Sequence, residues 1–264
     1  MISTDDFKDR EAEIKDYIRS RYLIKNYLGQ GGFCYVLQVA DKKTEIEHAL
    51  KFLNNVAYHS NPTLLEEEAR RLERARHPHV VEFHDFIDGK ILLMEYFAGQ
   101  AIDLKLEEGT EFTPKKIALV RNQVLSALQH GHEQGIIHRD VTAANILLGR
   151  EAKLIDYGIT DGLVKASLKQ GYICGTPGYL APEVITKIMP VPESDFYGLG
   201  VVLFEMLTKE LTPRNLEPLD SSWFAEKIEL VNAPEELKYS LRQLVSKQPE
   251  LRIRWLTEQR HEKK

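Results

Sequence analysis

Short runs of apolar residues alternate with polar ones through the first third of the chain, and a helical period takes over beyond it. Residues 4–19 are highly charged, yet Ile14, Tyr17 and Ile18 fall on one face of a helix. Three β-rich runs follow at 22–28, 35–40 and 46–53, separated by glycine-rich or charged turns, and they predict an antiparallel meander. Pro62, with Ser60 or Asn61 as cap, opens a helix expected to run to about Arg76. Residues 80–87 and 90–94 flank Asp88-Gly89, a pair that favours the tight turn of a hairpin. Five strands and one main helix make a small α+β lobe.

After residues 95–99 the pattern becomes helical. Thr113-Pro114 caps a long helix with Ile117, Val120, Val124, Leu125 and Leu128 at helical spacing. Residues 195–208 are almost wholly apolar, which predicts a buried helix, and 234–245 form a third. Residues 212–222, with Pro213 and Pro218, are expected to be an irregular loop. The expected organisation is a helical extension over 1–20, a strand-rich lobe over 21–94, a connector over 95–99 and a mainly helical lobe over 100–264. Two lobes joined this way imply a cleft where a ligand binds.

With 264 residues the chain can bury a sizeable core, and a net charge of -5 argues against nucleic acid as the main partner. Cys34 and Cys174 form neither a zinc spacing nor a disulfide framework, as in a reducing compartment. No apolar run approaches the ~20 residues that span a bilayer, and the acidic N-terminus is unlike a signal peptide. A soluble, cytoplasmic protein without membrane contact is the expectation.

The chemistry concentrates in His138-Arg139-Asp140-Val141-Thr142-Ala143-Ala144-Asn145, followed by Ile146-Leu147-Leu148 and Asp156-Tyr157-Gly158. A carboxylate, a carboxamide and a second carboxylate at this spacing suit phosphoryl transfer: Asp140 to take a hydroxyl proton, Asn145 and Asp156 to hold magnesium. The apolar run is expected to fold as a strand and turn that returns Asp156 towards Asp140. Leu28-Gly29-Gln30-Gly31-Gly32-Phe33-Cys34-Tyr35-Val36 joins the first two strands, where glycines let backbone N–H groups approach phosphate oxygens. Lys51, in Ala49-Leu50-Lys51, would place an ammonium over the same phosphates. Its candidate partner is Glu68, chosen over the neighbouring Glu66 and Glu67.

From about residue 21 to 255 the chain resembles the eukaryotic-type protein kinase family, and it is most similar to compact bacterial serine/threonine kinases. The resemblance implies a bilobal α+β fold and transfer of the γ-phosphoryl group of ATP, with Mg2+, to serine or threonine hydroxyls of a protein substrate. It further implies that Gly29, Gly31 and Gly32 cover ATP and that Lys51 pairs with Glu68. Glu95 and Phe97 then bind adenine through their backbones beside Met94, and Val36, Ala49 and Leu147 sandwich it. Leu72, Phe83, His138 and Tyr157 match the apolar column that joins the lobes. The 174–183 run, ending Ala181-Pro182-Glu183, resembles the close of the activation segment, with Arg252 as partner of Glu183 and Thr176 beside Asp140. Arg139 and Tyr172 match the pair through which such a segment senses phosphate. Ser167 could substitute, or Tyr172 could simply pack.

Departures from the family pattern lie at four positions. Cys34 replaces a loop glycine and Tyr157 a phenylalanine. Thr142 and Ala144 stand where the family carries a lysine or an arginine that neutralises the transferring phosphate, and one such electrostatic group is worth ~10²–10³ in rate. A nucleotide-binding pseudokinase that acts as scaffold or switch is the alternative reading. A small-molecule phosphotransferase is a third, disfavoured by the match at Ala181-Pro182-Glu183 and Arg252.

Overall fold

The computed structural model describes residues 5–30, 34–158, 164, 167, 169, 171–186, 190–215, 217 and 221–254. The chain divides into two compact units, Met1–Ala98 and Gly99–Lys264.

In the first unit, helix α1 (Asp5–Arg21) runs directly into β1 (Tyr22–Gln30), followed by β2 (Cys34–Asp41) and β3 (Glu47–Leu53). Two helices, α2 (Asn55–Ser60) and α3 (Leu64–Arg74), precede the hairpin β4 (Phe83–Ile87) and β5 (Ile91–Glu95). The strands form one antiparallel sheet in the order β1-β2-β3-β5-β4. Asp88 and Gly89 both take positive φ, 49° and 64°, the primed-turn geometry that matches strand twist. One sheet face buries Leu37, Val39, Leu50, Phe52 and Leu93 against Ile14 and Ile18 of α1, so the apolar stripe of that charged helix is its docking face. Alternation along β3 then turns Lys51 to the opposite face.

Two expectations need correction here. The main helix starts at Leu64, one residue beyond Thr63, and not at Pro62, which lies in the preceding turn. Before it, Asn54 caps the unforeseen α2 by accepting from the Ala57 amide at 2.8 Å. Asn and Asp are strong N-caps, so this local signal was present in the sequence.

The second unit opens with β6 (Gln100–Ala101) and α4 (Ile102–Glu107), then α5 (Pro114–Glu133), a 3₁₀ turn at Ala143–Asn145 and the hairpin β7 (Ile146–Leu148) and β8 (Ala152–Leu154). Strands β6, β7 and β8 pair in that order. Thr113 caps α5 by accepting from the Lys116 amide, with Pro114 in the first turn. Helices α6 (Pro182–Ile185), α7 (Pro192–Thr208), α8 (Ser221–Leu230) and α9 (Glu235–Leu244) follow. Every residue of α7 from Ser194 to Leu207 is buried, and α5, α8 and α9 pack around it. Within the stretch expected to be irregular up to Ser222, α8 already begins at Ser221. Two glycines of α7 let neighbours close in. A Cβ on Gly198 would lie 2.6 Å from the Val141 carbonyl oxygen, and one on Gly200 would lie 2.8 Å from Leu244 Cβ. The segment carrying Asp140 therefore rests directly on α7.

Among the described residues, no helix is long and apolar enough to cross a membrane.

Candidate active site

In the first unit, the cross-strand register sets Gly29 opposite Val36 and Val36 opposite Lys51, while Ala49 faces Met94 of β5. Three of the expected nucleotide contacts are therefore neighbours across β1, β2 and β3. Gly31 and Gly32 lie outside the described residues. Glu95 ends β5, and Phe97 sits in the stretch before β6. Helix α3 buries Leu65, Glu68, Ala69 and Leu72, an i, i+3, i+4, i+7 stripe. That phase selects Glu68 from its three consecutive glutamates, since Glu66 pairs with the exposed Arg70 and Glu67 is also off the stripe. Glu68 Oε1 meets Lys51 Nζ at 2.7 Å, with both side chains under a tenth exposed. Two charges so far out of water persist only as a pair.

In the second unit, Asp195 near the start of α7 organises the segment that leads into Asp140. Its carboxylate accepts the His138 amide at 2.8 Å and the Arg139 amide at 2.7 Å, and bonds His132 Nε2 at 2.7 Å. Burial would push Asp195 upward. The His132 hydrogen bond and charge and the Arg139 amide outweigh burial and leave it below the usual carboxylate range. These bonds hold Arg139 at φ 74°, a left-handed conformation that costs a non-glycine residue about 1–3 kcal/mol.

His138 links the segment to the next turn. Nε2 lies 3.0 Å from the Ile155 carbonyl and so carries the proton, while Nδ1 accepts the Asp140 amide at 3.3 Å. One donor and one acceptor define a neutral imidazole, and burial lowers its pKa accordingly. Its ring packs on Tyr157 at 4.6 Å. The β7–β8 hairpin returns the chain as expected, and the Ile155 amide donates to the Asn145 carbonyl at 2.9 Å. Asp156 follows at φ 66°, with its Oδ1 accepting from the Gly158 amide. Leu147 lies at the middle of β7, half-buried.

Asp140 sits among fixed donors. Oδ1 accepts from the Thr176 hydroxyl at 2.7 Å and the Thr176 amide at 3.1 Å, and Oδ2 from Asn145 Nδ2 at 3.1 Å. Nδ2 of Asn145 also donates to the Asp140 carbonyl at 2.9 Å, which leaves Oδ1 as the acceptor of that carboxamide. Burial, then the Asp156 charge, raise the Asp140 pKa despite the opposing bonds from Thr176 and Asn145. A raised carboxylate is a better base. If Asp140 must be ionised, kcat/KM falls as pH drops through a pKa above the ordinary 3.8. Asp195 and Glu183, both lowered, keep their stabilisation above their ordinary values of 3.8 and 4.5 and lose it only as pH falls through the lower folded ones. The acid limb of a pH–rate profile is therefore expected above pH 3.8 and ahead of acid unfolding; a limb that coincides with unfolding would contradict the assignment.

The donor set fits a hard divalent cation. Asn145 and Asp156 offer only oxygen, and no cluster of three or more His, Cys, Asp or Glu ligands occurs among the described residues. Magnesium is commonly held by one or two protein oxygens, with phosphates and water completing its shell.

Beyond Asp140, Glu183 pairs with both terminal nitrogens of Arg252 at 2.6 and 2.8 Å. Tyr172 is 67% exposed, so it is not packed against the unit. Its amide donates to the Ser167 carbonyl. Sequence reasoning missed His132, Glu205 and Arg214. The signal for Glu205 was a lone carboxylate in the apolar half of a helix, which has to find a partner.

The protein kinase domain model matches residues 22–263, and the chain belongs to that family. Its α+β fold of a five-stranded sheet followed by a mainly helical unit is the family's. The chain is 34% identical to the serine/threonine-protein kinase PknH of Mycobacterium bovis over 196 residues, covering 71% of this chain and 33% of the relative. It is 30% identical to a probable myosin light chain kinase of Dictyostelium discoideum over 198 residues, 70% of this chain and 62% of that protein. A serine/threonine-protein kinase of Drosophila persimilis is 27% identical over 206 residues, 74% and 27% respectively. The chain thus spans less than two thirds of the length of each of these relatives.

Proposed function

We propose that the chain is an ATP- and magnesium-dependent protein kinase that phosphorylates serine or threonine. The observation that carries this reading is Asp140, aimed by Thr176 and Asn145. Residues 21–94 serve as the nucleotide-binding lobe, 95–99 as the hinge and 100–264 as the catalytic lobe. Gly29, Gly31, Gly32, Val36, Ala49, Glu95, Phe97 and Leu147 are assigned to the nucleotide. Relatives named serine/threonine kinases, and a threonine bonded to the base, support the choice of acceptor.

In the reaction, the acceptor oxygen forms a bond to the γ-phosphorus, the bond to the β–γ bridging oxygen breaks and ADP leaves. Asp140 takes the hydroxyl proton. Lys51, oriented by Glu68, is the cation offered to the phosphates. Asn145 and Asp156 would hold Mg2+, which neutralises phosphate charge. All five of these positions are intact, which favours catalysis over a scaffold role. The test is incubation with γ-labelled ATP, magnesium and a generic acceptor protein, with and without chelator. No transfer, with nucleotide still bound, would favour the pseudokinase alternative.

Thr142 is buried and accepts the Asn145 amide through its carbonyl, so the catalytic turn keeps its shape without a basic residue there. Thr142→Lys is expected to raise kcat several-fold by supplying the missing charge, out of the ~10²–10³ such a group is worth. Steady-state kinetics decide it. An unchanged or lower kcat would show that another cation already serves the phosphate.

A further inference from the structure

Glu205 lies in the apolar half of α7 and is fully buried. Its carboxylate accepts from the Tyr179 hydroxyl at 2.7 Å and from the Thr212 amide and hydroxyl at 2.9 and 2.8 Å. The charge is met by Arg214, 3.0 Å away, which reaches in from the loop after α7. Arg214 also donates to the Tyr179 hydroxyl at 2.9 Å and to Thr212 Oγ1 at 2.8 Å, and its guanidinium lies 4.3 Å over the Tyr179 ring. The same side chain presses on Gly178. A Cβ there would stand 3.0 Å from Arg214 Cδ and Nη1 and 2.9 Å from the Pro213 carbonyl, at φ +88°.

Gly178 and Tyr179 follow closely on Thr176, which holds Asp140. Beside Asp140 a small pocket is walled by Thr176, Tyr179, Leu180, Val184 and Pro190. A hydroxyl presented to Asp140 has to come up to this pocket, which Asp140 itself lines.

We infer that Arg214 is a positioning residue for the protein acceptor: it neutralises Glu205 and clamps Gly178 and Tyr179, so that the acceptor pocket keeps its shape. The inference rests on the kinase reading. Arg214 touches none of the reacting atoms and acts through Tyr179. A surface arginine paired with a surface carboxylate would contribute little. Here the partner is wholly buried, and removing the guanidinium leaves an uncompensated charge beneath the pocket wall. Because Glu205 is satisfied from within the chain, its carboxylate is not on offer to a basic residue of the acceptor.

The experiment compares wild type, Arg214→Ala and Arg214→Lys, varying ATP and a generic acceptor protein separately. Losing charge-assisted bonds to Glu205 and Tyr179 is expected to raise the acceptor KM at least ~10-fold. The ATP KM should stay within roughly twofold, Arg214→Lys should fall between, and millimolar methylguanidinium should restore Arg214→Ala but not affect wild type. An unchanged acceptor KM, or both KM values rising together, would overturn the inference. Hydrogen exchange of residues 175–180 gives a second arm that needs no turnover. Faster exchange in Arg214→Ala supports the clamp, and unchanged exchange overturns it. A wild type that transfers no phosphate sinks the kinase reading, and the exchange arm still decides the clamp.

Discussion

Asp156→Asn will abolish phosphoryl transfer while the protein stays folded, and Asp140→Asn will abolish turnover without weakening nucleotide binding. The two carboxylates do different work. Asp156 is the one carboxylate assigned to the cation, and it is held at φ 66° on the chain returning from β8, where its Oδ1 already accepts from Gly158. An amide keeps the shape but loses the charge, and with it the hold on a hard cation. Asp140 is ringed by Thr176 and Asn145 donors and is the group assigned to the acceptor hydroxyl. An asparagine there cannot take a proton. Losses of ~10³-fold or more are expected for each in kcat, by analogy with single-residue deletions in other catalytic constellations. ATP titration with magnesium separates the pair: affinity should fall for Asp156→Asn and hold for Asp140→Asn. Equal affinity losses, or either variant turning over at the wild-type rate, would show the roles to be misassigned.

The largest structural effect is expected at Arg252. Its side chain is completely buried, bonds Glu183 through both terminal nitrogens, donates Nε to the Ser246 carbonyl at 2.8 Å and faces the Tyr197 ring at 5.1 Å. Ser194 donates to the same Glu183 oxygen at 2.8 Å. Arg252→Ala takes the charged partner from Glu183 and the donor from several carbonyls, a loss of about 3–5 kcal/mol for a broken buried pair. Against a total of about 5–15 kcal/mol, that endangers folding. Urea unfolding measures it. Arg252→Lys keeps the charge but not the two-pronged geometry and should recover only part. A loss below ~1 kcal/mol for Arg252→Ala would mean the pair is dispensable.

Where periodicity was long and clean, the sequence was readable in advance. Ile14 and Ile18 do dock α1, Thr113 and Pro114 do start α5, and Asp88-Gly89 does form the hairpin. Short elements escaped: α2, with six residues, shows less than two turns of pattern, and α8 follows a proline-rich stretch that masks its onset. In the candidate site, residue types and spacings were visible, the choice of Glu68 included, and the helical phase of α3 supplies its physical reason. The left-handed backbone of Arg139 could not be foreseen, because nothing local favours it. It is imposed by Asp195, more than fifty residues away. Arg214 and Glu205 were hidden for the same reason, since only the folded chain shows that they meet.

The most direct measurement is phosphosite mapping by mass spectrometry after incubation of the wild type and Asp140→Asn with γ-labelled ATP, magnesium and a generic acceptor protein. A kinase centred on Asp140 predicts label on serine and threonine of the acceptor with wild type and none with the variant. Label appearing equally with both proteins, or on neither while nucleotide binds normally, would contradict it.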